Sequence, residues 1–338
     1  MKIIEPSVEL VKETGLIKIE KIGKVCTKME HTIKPDSAAK FCHNRLVEGH
    51  TAIFMHNYVY FDLSAVEREI CRSLALFSPY IKWSSCGNYC AINYRTFIDT
   101  LFVGNINNNP FDENIETVTD LLFVMFNLCP EFRNLFYSKE DIDNMLMGGA
   151  NNEYYRKIVR VDENFIKVNY PEILAVTFKI TTDRGITHEA VRHTISSFMQ
   201  ESTRWCNYNN QRFDSSINVI VPPFKHQESL EDWSDVVVSI EGIYKDMINR
   251  GETPQIARSI LTNSTKADIY ITSTLREWIG FEITFITPKV TINENKGFLP
   301  LRTAKNAHPQ MIPIAKDIAR IIKDEFGKFI EIKEEYYE

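Results

Sequence analysis

At 338 residues, 44% hydrophobic and 25% charged, the chain has the composition of a globular protein with a large core. Its net charge of -6 lacks the basic surplus that general nucleic-acid binding needs, and no apolar run is long enough to span a membrane. The seven cysteines (Cys26, Cys42, Cys71, Cys86, Cys90, Cys129 and Cys206) follow no framework spacing, and no signal-peptide pattern is present. They predict free thiols in a reducing, cytoplasmic compartment. Cys86-x-x-x-Cys90 finds no second pair or nearby histidine pair, so no metal site is expected.

Residues 1 to 30 read as a strand or two and then a short helix ending near Cys26. Ala38, Ala39, Cys42 and Leu46 share one side of a helix from about Asp36 to Glu48, stopped by Gly49. His50 and His56 lack the spacing of a helical metal pair; structural histidines are the default reading, a ligand-contacting role the other. Asn57 to Leu63 alternates like a strand, and an amphipathic helix follows from Val66 to Leu76. A turn-rich break at Gly104 to Pro110 precedes a helical pattern from Val118 to Leu128, and Asp141 to Arg160 reads as an exposed connection. Roughly 81 to 165 is taken as an inserted helical region or peripheral layer within one domain of residues 1-338.

Ile173 to Ile180 has the apolar, β-branched character of a buried strand. Asp183-Arg-Gly185 then turns the chain, and Thr187 stands where an N-cap would, opening a helical stretch that carries Arg192, His193, Ser196, Gln200, Ser202 and Arg204. Guanidinium forks suit phosphate or carboxylate, and hydroxyls and amides complete such a site without adding charge. The competing reading is a buried helix edge whose polar groups satisfy one another. Ile217 to Val221 reads as a strand closed by Pro222-Pro223, Ser229 to Arg250 as a helix, and Thr253-Pro254 as the start of another carrying Arg258. Ile269 to Trp278 is read as a helix with Arg276 near its end, 282 to 298 as an inserted β-hairpin, and Pro309 to Phe326 as a last helix. Arginines set among apolar positions in several segments tilt toward a phosphorylated ligand, since each is costly to bury unmet.

In order, Arg192-His193-Thr194 with Ser202 after seven intervening residues, then PQIARSIL, STLREW and LPLRTAKNAHPQM, resembles the flavin-dependent thymidylate synthases. The early IEKIGKVC and GHTAIFMH resemble that family's first segment, and the likeness covers most of 15 to 63 and 172 to 325. It implies an α/β (α+β) fold and an enzyme that methylates C5 of dUMP. FAD, methylenetetrahydrofolate and NADPH would be its cofactor and co-substrates, and the assembly a homotetramer with shared active sites. Position by position, Gln200, Ser202, Arg204 and Arg258 match dUMP contacts. Arg302 matches the arginine at the pyrimidine edge, expected to be catalytic by favouring loss of the N3 proton. Arg192, His193, Thr194, Arg276 and His50 match flavin-side positions.

Departures from the pattern gather on the flavin side. Thr194 stands where the signature has its second arginine, Ala52 and Met55 replace a hydroxyl residue and a glutamate, Thr274 an asparagine, and Gly280 a larger polar residue. His308 and Gln310 vary the start of the last helix. The alternatives are a homologue that modifies C5 of another pyrimidine nucleotide, for example by hydroxymethylation, and a nucleotide-binding subunit without catalysis.

Overall fold

The computed structural model describes residues 1–102, 115–138, 153–193, 196–286 and 291–338. The expected turn at Gly104 to Pro110, much of the expected connection at 141 to 160, the tip of the hairpin and Thr194 lie outside the described residues.

Two strands form the spine: β7 (Ala175–Asp183) and β10 (Lys266–Thr274) pair antiparallel over nine residues each, in register Lys266 to Asp183 through Thr274 to Ala175. Here β10 corrects the helix expected over Ile269 to Trp278. Only Leu275–Ile279 is helical, opened by a capping box in which Thr274 and Glu277 satisfy each other's backbone N–H groups. Burial on both faces erased the polar alternation that marks a half-exposed strand, leaving the β-branched run as the surviving signal. The short β2 (Ser7–Leu10) and β8 (Ser197–Gln200) complete a sheet of order β2-β7-β10-β8.

One face of this sheet is apolar. Phe178, Ile180, Ile269 and Ile271 pack with Ile314, Ile318 and Ile322 of the helix Met311–Phe326. The other face carries Thr177, Thr181, Asp268 and Thr272 yet is also covered: Tyr270 packs with Ile22 and Val25 at the end of the helix Gly15–Lys24. Polar groups buried there must find partners. Thr272 Oγ1 meets Thr177 Oγ1 at 2.7 Å and His56 Nδ1 at 2.8 Å, so His56 is a structural histidine, pushed down to about 3 by burial and then by Lys18.

A second antiparallel sheet has the order β4-β5-β3-β6, built from β3 (Tyr58–Asp62), β4 (Ile81–Trp83), β5 (Tyr89–Asn93) and β6 (Val159–Val161). Alternation along β3 divides two cores. Tyr58 and Tyr60 face the spine's core, whereas Val59 and Phe61 face a core filled by Leu122, Met125, Phe126 and Phe132. The 81 to 165 region, expected to be helical, thus supplies three strands as well as helices such as Ile115–Asn127. The architecture is mixed α/β with antiparallel principal sheets. A small parallel pair joins β1 (Lys2–Ile3) to β9 (Asn218–Val219), shorter than the strand expected over 217 to 221. The expected hairpin is present as β11 (Phe281–Ile286) and β12 (Thr291–Lys296). It leaves the fold where Gly280 has φ +85° and Gly297 has φ +159°; a Cβ on Gly297 would lie 2.3 Å from the Gly280 Cα. That close approach requires glycine at 297, and the left-handed φ of Gly280 favours glycine there.

Candidate active site

Asp183, not Thr187, caps the helix Arg184–Ala190: its carboxylate accepts the Ile186 N–H at 2.8 Å, while the Thr187 hydroxyl sits inside the helix and donates to the Arg184 carbonyl. Gln310 Nε2 donates to the second Asp183 oxygen at 2.5 Å, docking the start of the last helix on this corner. Burial holds the Asp183 carboxyl above its usual range, and the Ile186 and Gln310 hydrogen bonds only partly offset it. Beyond Ala190 the chain turns and re-emerges as β8. The stretch from Asp183 to Tyr208 is therefore helix, turn and strand, and its polar side chains point to different places.

The first group is Arg192, His193 and Arg302. Arg302 ends the short helix Phe298–Arg302 and is half-buried. Its Nε donates to His193 Nε2 at 3.0 Å, and its Nη2 to the Glu189 carbonyl at 2.6 Å. Its Nη1 lies 3.4 Å from a Glu189 carboxylate oxygen. A nitrogen that accepts from a guanidinium carries no proton, so His193 is neutral here. Burial and then the Arg302 charge push it down to about 4. Desolvation also lowers Arg302, against the pull of Glu189. Arg192 is exposed, and two adjoining clefts of about 370 and 420 Å³ share Glu189, Arg192 and His308.

The second group follows β8. Gln200 Nε2 donates to Thr187 Oγ1 at 2.9 Å, and the Ser202 N–H donates to the Cys26 carbonyl at 3.1 Å. Arg204 is exposed, with its Nε 3.2 Å from Gln255 Oε1, and Arg258 Nη1 lies 3.5 Å from Thr203 Oγ1. Arg204 and Arg258 thus share one corner through the Thr203–Arg204 and Gln255–Arg258 segments. Arg204 and the exposed His50 both line a cleft of about 690 Å³ whose floor includes Phe41, Ile53 and Met199. Ala52 lines the same cleft, and the Met55 carbonyl accepts from the Ser197 hydroxyl. Arg276 stands apart, donating to Ser85 at 2.9 Å. This cleft shares no lining residue with the two beside Arg302, so the expected site residues fall into separate groups within one chain.

Beneath the second group lies a charge cluster that sequence reasoning missed. Glu201 and Asp268, both nearly fully buried, face Lys28, Lys179 and Lys266. Lys266 Nζ is 3.0 Å from Glu201 and 2.8 Å from Asp268, Lys28 bonds Asp268, and Thr181 donates to Asp268 at 2.7 Å. Burial pushes Lys266 down to about 8, with Glu201 pulling the other way. The Glu201 N–H also donates to the Asp268 carbonyl at 2.8 Å, so the cluster fixes where Ser202 and Arg204 leave the sheet. Glu189 was missed as well; its position three residues before Arg192 was the available signal.

The donors suit a large aromatic anion: an apolar floor, an exposed Trp205 at the rim, and Arg45, Arg95 and Arg204 around it. A flavin dinucleotide fits that chemistry. Among the described residues no group of three or more His, Cys, Asp or Glu is placed to hold a metal ion, and no helix is long and apolar enough to cross a membrane.

The sequence is similar to those of known proteins. The family model described as thymidylate synthase complementing protein matches residues 127–326. The flavin-dependent thymidylate synthase of Pyrococcus furiosus is 31% identical over 130 residues, 35% of this chain and 53% of that protein. That of Pyrococcus abyssi is 28% identical over 130 residues, again 35% and 53%. The Thermococcus onnurineus enzyme is 25% identical over 179 residues, 49% of this chain and 66% of that protein. The chain spans about half the length of the first two relatives it matches. With more than half of its residues matched by the family model, the chain belongs to the thymidylate synthase complementing protein family.

Proposed function

We propose that the protein is a flavin-dependent thymidylate synthase that methylates dUMP at C5, with methylenetetrahydrofolate as carbon donor and NADPH as reductant. The observation that carries this reading is Arg302, fixed by His193 and Glu189 at the edge of a cleft that Arg192 also lines. A guanidinium held by a neutral imidazole and a backbone carbonyl keeps its charge and loses its freedom to swing. Set against a pyrimidine, it lowers the cost of negative charge developing on the ring as the N3 proton leaves. Arg204 and Arg258, with the hydroxyls of Ser202 and Thr203, supply the donors for a phosphate. FAD, when bound, supplies the hydride chemistry; Arg192, His193, Thr194, Arg276 and His50 are the residues proposed to hold it. The cysteines need take no part: five of the seven are buried, and burial pushes the half-buried Cys26 up to about 11.

We take residues 1–338 as one domain with 81–165 inserted. The separation of the Arg302 group from the His50–Arg204 cleft supports sites completed by a second chain's arginines, and the assembly we propose is a homotetramer. The test is an absorbance titration of purified protein with FAD and then dUMP, followed by dUMP-dependent NADPH oxidation and mass analysis of the product. No flavin binding and no dUMP-dependent oxidation would overturn the reading. A product from UMP or dCMP in place of dTMP would redirect it to another pyrimidine.

A further inference from the structure

Among the described residues, the 81 to 165 region reaches the cleft through Arg95. Arg95 lies in the short helix Tyr94–Phe97, whose other members are buried: Tyr94 stacks on Phe132 at 4.1 Å, and Asn93 caps the helix through the Thr96 N–H at 2.9 Å. Only Arg95 turns outward. Its Nη1 bonds the Thr51 hydroxyl, one residue from His50, and its Nε donates to Asp99 at 2.6 Å, whereas Nη2 has no acceptor among the described residues. Arg45, which lines the same cleft, lies 5.4 Å above the Phe41 ring and pairs with Glu48 at 2.7 Å, while its Nε is buried with no hydrogen-bond partner among the described residues. Of the cations lining this cleft, Lys24 pairs with Glu20, Arg45 with Glu48 and Arg95 with Asp99, while Arg204 meets the neutral Gln255. A buried guanidinium N–H without an acceptor is costly, and the Arg45 Nε together with the unmatched Arg95 Nη2 offers donors that an oxyanion would satisfy.

We propose that Arg95, with Arg45 of the same cleft, forms a subsite for the anionic arm of the aromatic ligand that lies on Phe41 and Trp205. This rests on the proposed reading of the cleft and deepens it: the 81 to 165 layer becomes a specificity element of the site. The arm is an oxyanion, supplied either by the pyrophosphate of the flavin dinucleotide or by the carboxylates of the folate.

The test uses the full-length protein and two ligand pairs that differ in the arm, FAD against riboflavin and folate against pterin, each titrated by fluorescence. Arg95→Gln keeps the reach to Thr51 and removes the charge; Arg95→Ala is the second variant, and melting curves check that both fold. Wild type is expected to prefer the armed member of at least one pair, and Arg95→Gln to lose about tenfold or more of that preference while binding riboflavin or pterin unchanged. The pair affected identifies the source of the anion. If wild type binds the armed ligands and both variants keep the full preference, the subsite is refuted while the reading of the cleft stands. If wild type binds neither FAD nor folate, both fall.

Discussion

Asp268 is where the fold and the candidate site are most tightly joined, and Asp268→Asn tests that joint. The side chain is 3% exposed; it bonds Lys28, accepts from Thr181 at 2.7 Å and lies 2.8 Å from Lys266. Breaking a buried ion pair by removing one partner costs about 3–5 kcal/mol. Asparagine still accepts from Thr181, and the lysines retain Glu201, so the expected loss is about 2–4 kcal/mol. With an unfolding entropy of about 2.1 cal/mol/K per residue over 338 residues, that lowers Tm by about 3–6 °C. Lys266 adds a pH signature. Its folded value of about 8 lies below the ordinary 10.5, so the unfolded chain binds more protons between them and stability rises with pH through that window. Loss of the Asp268 charge depresses Lys266 further and opens the window at lower pH, so the deficit at pH 7 should shrink at about pH 9. Thermal unfolding followed by circular dichroism at both pH values measures this. A Tm within about 1 °C of wild type at pH 7, or a deficit unchanged at pH 9, would refute the cluster's role.

Arg302→Ala removes the cation at the proposed pyrimidine edge and should weaken dUMP binding about 10- to 100-fold, with Arg302→Lys between it and wild type; isothermal titration reads both. His193, pushed down to about 4 from an ordinary 6.5, stabilises the fold above that ordinary value, and the contribution is lost as pH falls through about 4. Protonation also removes the acceptor for Arg302, so dUMP affinity should decline toward that pH, and His193→Gln should flatten the profile in a fluorescence titration. Cys86 is the one exposed cysteine, so brief alkylation at neutral pH should label it ahead of the other six, as peptide mass analysis would show. Cys86→Ser should leave the proposed dUMP turnover unchanged.

Elements with one solvent-facing side were legible in the sequence to within a few residues. The expected helices Ser229–Arg250 and Pro309–Phe326 appear as Gln227–Asn249 and Met311–Phe326, because a polar stripe marks where such a helix starts and stops. The spine strand β10 was not legible, because both its faces are covered and its Thr and Asp residues, paired across the sheet, gave no outward signal. For the site, the arginines stood out because a guanidinium among apolar residues is conspicuous in any sequence. Their groupings did not: Arg302 meets His193 across 109 positions and Lys28 meets Asp268 across 240, distances that no local pattern encodes. Thr274, which looked like a flavin-side departure, has a local structural task as a helix cap.

The division of the interior by β3 has a consequence for how the chain is made. Among the described residues, every buried member of the core beyond β3 lies between Ile19 and Ile158, so that core can consolidate early as the chain emerges from its N-terminal end. The spine cannot. β7 presents Phe178 and Ile180 on one face and must wait for β10, whose first residue, Lys266, pairs with Asp183. At about 5–20 residues per second, that leaves an apolar, half-paired strand open for about 4–20 s. The nascent protein is therefore most prone to aggregate after its first core has formed, and slow synthesis between β7 and β10 should lower the yield of folded protein more than the same pause placed earlier.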